Sequence, residues 1–222
     1  MSEAALDEEQ LATAARVVAE SSYVIALVGA GMSKESGIPT FRGGDGLWDK
    51  HGEPPMDGYQ RFLADPATWW TERLTQQQAG STAITEIHGN RTKMRCIECS
   101  NRWLREEFKT DQVPPKCPDC NGLVKGDTVM FGEPIPRDAL ERCYQEAQRA
   151  DAVLLLGTSA VVTPAAEFPV IAYRRGARLI EVNPQETPLS EYCSAVLRAP
   201  TGAALPALLA RTKELSGARG RG

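Results

Sequence analysis

Four of the six cysteines fall into two C-x-x-C pairs, Cys96/Cys99 and Cys117/Cys120, with residues 100–116 between them. Two thiolates in such a pair reach one ion, and two pairs at this separation have the spacing of a zinc ribbon. Pro118 and Asp119 inside the second pair, and Asn121-Gly122 after it, suit the tight turns that present the sulfurs. Four thiolates close a tetrahedral shell and leave no position for substrate. One Zn2+ held this way is expected to be structural. Cys143 and Cys193 stand in unrelated contexts and read as ordinary core or partly buried thiols.

The second chemistry-bearing stretch is YVIALVGAGMSKESGIPTFRG, Tyr23 to Gly43. An apolar, β-branched run ends at Gly29-Ala30-Gly31 and opens into polar Ser33 to Ser36. A strand that breaks at glycines in this way lets backbone N–H groups approach a phosphate. The second half, Gly37 to Gly43, carries Phe41 and the cation Arg42 and reads as a lid over a ligand. Arg42 suits a phosphate or ribose contact, or an ordinary surface position.

Only two histidines are present, His51 and His88. His51 lies in a Gly/Pro-rich loop and reads as solvated. His88 follows Ile84 and Ile87 and precedes Gly89, which fits either a general base facing a cleft or a packed ring. Glu133, in Phe131-Gly132-Glu133-Pro134, follows a short apolar run. An edge there can accept an extended peptide, or simply be capped by its charge.

The elements that must position these groups follow from periodicity. Asp7 with Gln10 resembles a capping box, and Leu11, Ala14, Ala15 and Val18 recur at helical spacing, predicting a helix over 8–21. Strands are predicted at 23–28, 128–131, 152–156 and 177–182, and helices at 138–150 and 165–175. Strand–helix–strand at this spacing is a βαβ unit, so the sheet is parallel and its ligand site lies at the carboxyl ends. Those ends are Gly29, Gly157 and Asn183. Three long strands are fewer than the six of a full dinucleotide fold. Between Trp70 and His88 there is no room for another βα unit.

Composition limits the functional classes. The chain has 222 residues, a formal net charge of −4, 42% hydrophobic and 24% charged residues. That balance gives no electrostatic case for nucleic acid or an anionic membrane surface. No apolar run reaches the ~20 residues of a membrane span. The acidic N-terminus does not read as a signal peptide, which makes a cytoplasmic location the expectation. Residues 211–222, basic and Gly-rich, read as a frayed tail.

Taken in order, GAGMSKESGIPTFRG (Gly29 to Gly43), His88-Gly89, the two cysteine pairs, Phe131-Gly132-Glu133, Gly157-Thr158-Ser159 and Val182-Asn183-Pro184 resemble the sirtuins, NAD-dependent protein-lysine deacylases. The resemblance covers nearly the whole chain. It implies an α/β fold: a Rossmann-like NAD-binding domain over 1–92 and 128–222, its cleft completed by a loop and helical part at 44–75, with a zinc-ribbon module inserted over 93–127. By the same resemblance Gly29, Ala30, Gly31, Thr40, Phe41 and Arg42 line the NAD site. Gly157 and Thr158 sit near the phosphates, and Ser159, Asn183 and Pro184 by the adenosine. His88 is the base, and Val129, Met130, Phe131, Gly132 and Glu133 pair with the acyl-lysine peptide of a protein substrate. The implied reaction passes the acyl group to the ribose, releasing nicotinamide and O-acyl-ADP-ribose, with His88 deprotonating a ribose hydroxyl.

Two departures bear on activity. The family's Thr-Gln-Asn-aliphatic-Asp strand end, which helps form the nicotinamide pocket, is interrupted here. Between Arg73 and Thr82 only Thr75-Gln76 and Ala79-Gly80-Ser81 match its two sides. Either residues are absent from the numbered chain, or the deletion is genuine and the pocket damaged. Sirtuins that take acidic acyl groups carry Tyr-x-x-Arg; here Trp70-Thr71-Glu72-Arg73 sets an acidic neighbour beside the cation, favouring acetyl or other short neutral groups. The alternatives on the same fold are mono-ADP-ribosyl transfer, NAD hydrolysis, or an NAD-binding module without turnover.

Overall fold

A computed structural model of the chain describes residues 6–36, 40–41, 46–67 and 85–219. The expectations placed on Arg42, on the rest of the lid, and on the interrupted segment at 73–82 lie outside them.

Helix α1, Glu8–Glu20, begins where Asp7 accepts backbone N–H bonds from Glu9 (2.9 Å) and Gln10 (3.1 Å). Such a cap stabilises a helix by about 1 kcal/mol. Gln10 does not complete a capping box. Its side-chain oxygen instead accepts from Val196 N at 2.8 Å, tying the helix to the strand beneath it. Four parallel strands follow in one sheet: β1 (Val24–Val28), β5 (Ala152–Leu156), β6 (Arg178–Val182) and β7 (Cys193–Leu197), in the order β1-β5-β6-β7. The short helices α2 (Leu47–His51) and α3 (Gly58–Ala64) lie between β1 and the second sheet in sequence. Helix α4 (Arg137–Arg149) precedes β5, α5 (Glu167–Arg174) links β5 to β6, and α6 is Thr201–Arg219.

The sheet is covered on both faces, which is why β5 and β6 read as apolar runs rather than alternating ones. On one face Leu11, Ala14, Ala15 and Val17 of α1 and Ala204 and Leu208 of α6 pack over Ala152, Leu156, Ile180, Val182 and Leu197. On the other, Ala172 of α5 packs with Val153, Leu155, Leu179 and Leu189. β1 differs: Val24 and Val28 are 38% and 53% exposed. A doubly wound sheet runs 3-2-1-4-5-6. The strands here correspond to 1-4-5-6, and among the described residues nothing pairs with the outer side of β1.

Several expectations change. Residues 128–131 form no strand but lead into a turn. A fourth parallel strand, β7, adds to the three long strands expected, and the basic end is not frayed through Arg219, because α6 continues to that residue. The first turns of α6 are anchored by buried Ala204 and Leu208, and Leu215 packs against the same core.

The cysteine region builds a second sheet, antiparallel, from β2 (Lys93–Cys96), β3 (Arg102–Leu104) and β4 (Val124–Gly126) in the order β3-β2-β4. Its core includes Phe62 from α3, packed with Met94, Cys96, Cys117 and Val124. By contacts the chain divides into residues 1–52 with 144–222, and residues 53–143. The second unit is thus wider than the 93–127 module by the elements flanking it on both sides.

Candidate functional site

In the first unit the ladder register aligns Val28 with Leu156 and Leu156 with Val182, and Val182 with Leu197. The residues that follow, Gly29, Gly157, Asn183 and Arg198, therefore stand in a row along the carboxyl ends. Neighbouring ends are bonded: Gly29 N donates to Leu156 O (2.9 Å), Gly31 N to Gly157 O (2.9 Å), Gly157 N to Val182 O (3.0 Å) and Asn183 N to Leu197 O (3.1 Å).

The glycines are required by the closeness of the loops. A Cβ on Gly29 would lie 2.5 Å from Gly157 O, and one on Gly31 2.7 Å from the same atom. Gly157 itself has φ +55° and a Cβ there would meet Met32 N at 2.6 Å. Asn183 spans to the next loop through Nδ2, which donates to Thr158 O at 2.7 Å, while its Oδ1 accepts from Gln185 N. Thr158 Oγ1 accepts from Ala160 N, and Ser159 is exposed beside it. Ala30 and Gly31 open a 3-10 turn over Ala30–Ser36. Thr40 and Phe41 are pinned to α2: their carbonyls accept from Leu47 N and Trp48 N, both at 2.8 Å, and the Phe41 and Trp48 rings lie 5.1 Å apart. The row of glycine and polar turns matches what a dinucleotide phosphate and ribose need: close backbone, few side chains and hydrogen-bonding groups.

Sequence reasoning missed what holds the far end of this row. Glu181 of β6 is a carboxylate with a side chain 1% exposed. It accepts from Thr187 Oγ1, from Ser190 Oγ (2.8 Å) and from Arg198 Nη1. Arg198 also donates to the carbonyls of Asn183 (3.2 Å) and Gln185 (2.8 Å) and to Ser190 Oγ (2.9 Å). The loop that carries Asn183 and Pro184 is thereby fixed to a buried charge. A lone acid inside the otherwise apolar run LIEV was the available signal.

In the second unit the sulfurs of Cys96, Cys99, Cys117 and Cys120 all lie within 4.8 Å of one another. Cys96 and Cys120 are 3.5 Å apart, Cys99 and Cys117 3.7 Å. Tetrahedral Zn–S bonds of ~2.3 Å set sulfurs ~3.8 Å apart, so the four thiols fit one such ion. The two knuckles repeat one geometry: Ser100 N bonds Cys96 O and Asn121 N bonds Cys117 O, with Ser100 at φ 63° and Asn121 at φ 59°. Gly122 leaves room for Glu98 and for the Cys96 sulfur, which a Cβ would approach to 3.1 Å.

His88 and Val129–Glu133 also belong to this unit and are joined within it. Val129 N donates to His88 O at 2.9 Å. Gly89, at φ +72°, sits so close to Asp127 that a Cβ would lie 2.0 Å from its carbonyl oxygen. His88 is exposed to solvent at its surface, yet desolvation by the surrounding protein lowers its pKa below the ordinary 6.5, favouring the neutral base. The segment after it turns at Met130–Glu133: Glu133 N donates to Met130 O (3.0 Å), Tyr59 N to Phe131 O (3.0 Å), and Gly132 has φ +79°. The Glu133 carboxylate does not face outward. It is 2% exposed and accepts from Met130 N at 2.8 Å.

The sequence signature of the Sir2 family matches residues 29–75 and 72–164. A Thermococcus kodakarensis protein named NAD-dependent protein deacylase is 37% identical over 252 residues, covering 94% of this chain and 98% of that protein. NAD-dependent protein deacylase 1 of Caldanaerobacter subterraneus subsp. tengcongensis is 39% identical over 208 residues, 77% of this chain and 86% of that protein. A crystal structure of a Sir2 homolog–NAD complex superposes with a TM-score of 0.74 at 34% identity, covering 97% of each chain. The alignment of 252 residues is longer than the 222-residue chain, so the Thermococcus protein carries positions with no counterpart here. The signature is matched in two pieces that overlap at 72–75, at the start of the stretch where the expected Asn and Asp are missing.

Proposed function

The chain belongs to the Sir2 family, and on that premise we propose that it is an NAD-dependent protein-lysine deacylase acting on acetyl or other short neutral acyl groups. The observation that carries this is identity over nearly the full length with proteins bearing that name, together with the in-register row of Gly29, Gly157 and Asn183. NAD, when bound, supplies a ribose carbon that accepts the acyl oxygen as nicotinamide departs. Gly29, Ala30, Gly31, Thr40, Phe41 and Arg42 hold the ribose and phosphates, with Gly157 and Thr158. Ser159, Asn183 and Pro184 hold the adenosine side. His88, neutral at pH 7, takes the proton from a ribose hydroxyl. The backbone of Val129–Gly132 receives the acyl-lysine peptide, and Glu133 shapes that segment from within. One Zn2+ on Cys96, Cys99, Cys117 and Cys120 supplies folding energy and no chemistry. The thiol content suits the cytoplasm.

A nicotinamide-release assay with and without acetyl-lysine peptide tests the proposal. Stoichiometric release that needs the peptide is expected. Release without peptide indicates NAD hydrolysis, and transfer of labelled ADP-ribose to protein indicates a transferase. The division of the family match into two pieces at 72–75 favours one second reading, an NAD-binding module without turnover. Its mark is ADP-ribose binding with no nicotinamide released under any condition.

A further inference from the structure

Five charged side chains meet behind the Val129–Glu133 segment, where neither the metal nor the proposed proton transfer has any use for them. Arg95 Nε lies 2.9 Å from Asp127 Oδ1 and its Nη2 pairs with Glu133. Lys125 Nζ lies 3.0 Å from Glu133 Oε2, and Arg102 Nε 3.1 Å from Asp127 Oδ1. Lys125 is fully enclosed, and Arg95, Asp127 and Glu133 are 2–6% exposed at their side chains. Burying so many charges is costly unless each is paired and hydrogen-bonded, and replacing them by apolar groups is often neutral for stability. What such a cluster can supply instead is a fixed geometry for the groups it binds.

Its contacts identify the geometry being fixed. The Lys125 ammonium donates to the carbonyls of Gly126 and Thr128, each at 2.8 Å, in addition to Glu133. Glu133 in turn takes the N–H of Met130. Asp127 accepts from Asn90 N at 3.2 Å, one residue beyond His88-Gly89. Both ends of the 128–133 segment, and the loop that follows the histidine, are therefore held by one ionic group rooted in β2 and β4. No regular ladder supports the segment, since it forms no strand. The side-chain cluster replaces that support.

We infer that Lys125 is a positioning residue for the acyl-lysine peptide: by clamping Gly126, Thr128 and Glu133 it presets the backbone of Val129–Gly132 in its binding conformation. The inference rests on the peptide reading given above. Losing Lys125 removes preorganisation of one substrate only, so its effect should separate peptide from NAD.

The test compares the parent, Lys125→Met, and the charge-balanced pair Lys125→Met/Glu133→Gln, which leaves no unpaired carboxylate if the single variant fails to fold. Binding of a fluorescent acetyl-lysine peptide is measured directly, beside steady-state KM for each substrate. Peptide Kd and KM should rise roughly tenfold, while the KM for NAD and metal content stay within about twofold. Lys125→Arg, which keeps the charge, should recover part of the peptide affinity. Unchanged peptide binding in the balanced pair overturns the inference, as does an equal loss for both substrates. A parent that binds the peptide but does not turn over leaves the binding arm intact and removes only the deacylase reading. A parent that binds no acetyl-lysine peptide removes both.

Discussion

The backbone N–H of Val129 and the carbonyl of His88 are bonded at 2.9 Å, so the proposed base and the proposed peptide segment share one hydrogen bond. The Gly89 turn beside this bond is pressed onto the Asp127 carbonyl.

Replacing His88 by Ala should abolish most deacylation, on the order of 10²-fold or more in kcat, with ADP-ribose affinity within about twofold by calorimetry. Packing lowers the His88 pKa below 6.5, so the imidazole is already neutral at pH 7. The acid limb of kcat/KM should therefore fall at an apparent pKa under that value, measured between pH 5 and 8. A limb above pH 7 would assign the base elsewhere.

Gly89→Ala should fail structurally before it fails chemically. Its Cβ would sit 2.0 Å from Asp127 O at a φ of +72°, and strain of this kind costs roughly 1–3 kcal/mol. For a chain of this size that lowers Tm by about 2–12 °C, with activity reduced at temperatures where the variant is folded.

Metal removal gives a separate readout. Chelation, or Cys99→Ser, should lower the thermal midpoint by several degrees and release one equivalent of zinc, detected with a chromogenic chelator. Readdition of Zn2+ to the chelated parent should restore the midpoint. Full activity in metal-free protein would contradict a structural ion.

Arg198→Ala leaves the enclosed Glu181 carboxylate without its cation and frees the carbonyls of Asn183 and Gln185. The arginine is itself partly exposed, at 38%, so the stability loss should be about 1–2 kcal/mol rather than the larger cost of breaking a fully buried pair. The KM for NAD should rise while peptide binding stays constant, the reverse of the Lys125 pattern.

Lys125 also predicts a pH effect on stability. Burial pushes its pKa down to about 8, with Arg95 acting the same way and Glu133 and Asp127 opposing; Arg102 lies just beyond, on Asp127. The ordinary value is 10.5, so between about 8 and 10.5 the folded chain binds fewer protons than the unfolded one. Stability from this group is complete above 10.5 and is lost as pH falls through 8. Urea unfolding at pH 7.5 and 9.5 should show the parent gaining about 2 kcal/mol relative to Lys125→Met over that interval. Equal slopes for the two would refute it.

What could be read from the sequence was whatever repeats locally. The Ala152–Leu156 strand and the 8–20 helix follow from apolar runs and a cap, and the four thiols from spacing alone. The strand Cys193–Leu197 is short and follows a turn with no glycine, while Gly202 and Pro206 disguise the helix after it. The charges that hold the candidate site were out of reach for another reason. Arg95 and Glu133 meet only because β2 pairs with β4, and Glu181 finds Arg198 only because β6 pairs with β7. A charged residue in a sequence reads as surface until its partner is known.

Val24 and Val28 show where this molecule can change. β5, β6 and β7 take their order and register from one another and from the helices over them, and β1 joins from one side only, among the described residues. Residues gained or lost beyond β1 alter the sheet's width without reordering Gly29, Gly157 and Asn183. A strand added on the outer side of β1 would meet a ladder already in phase with β5.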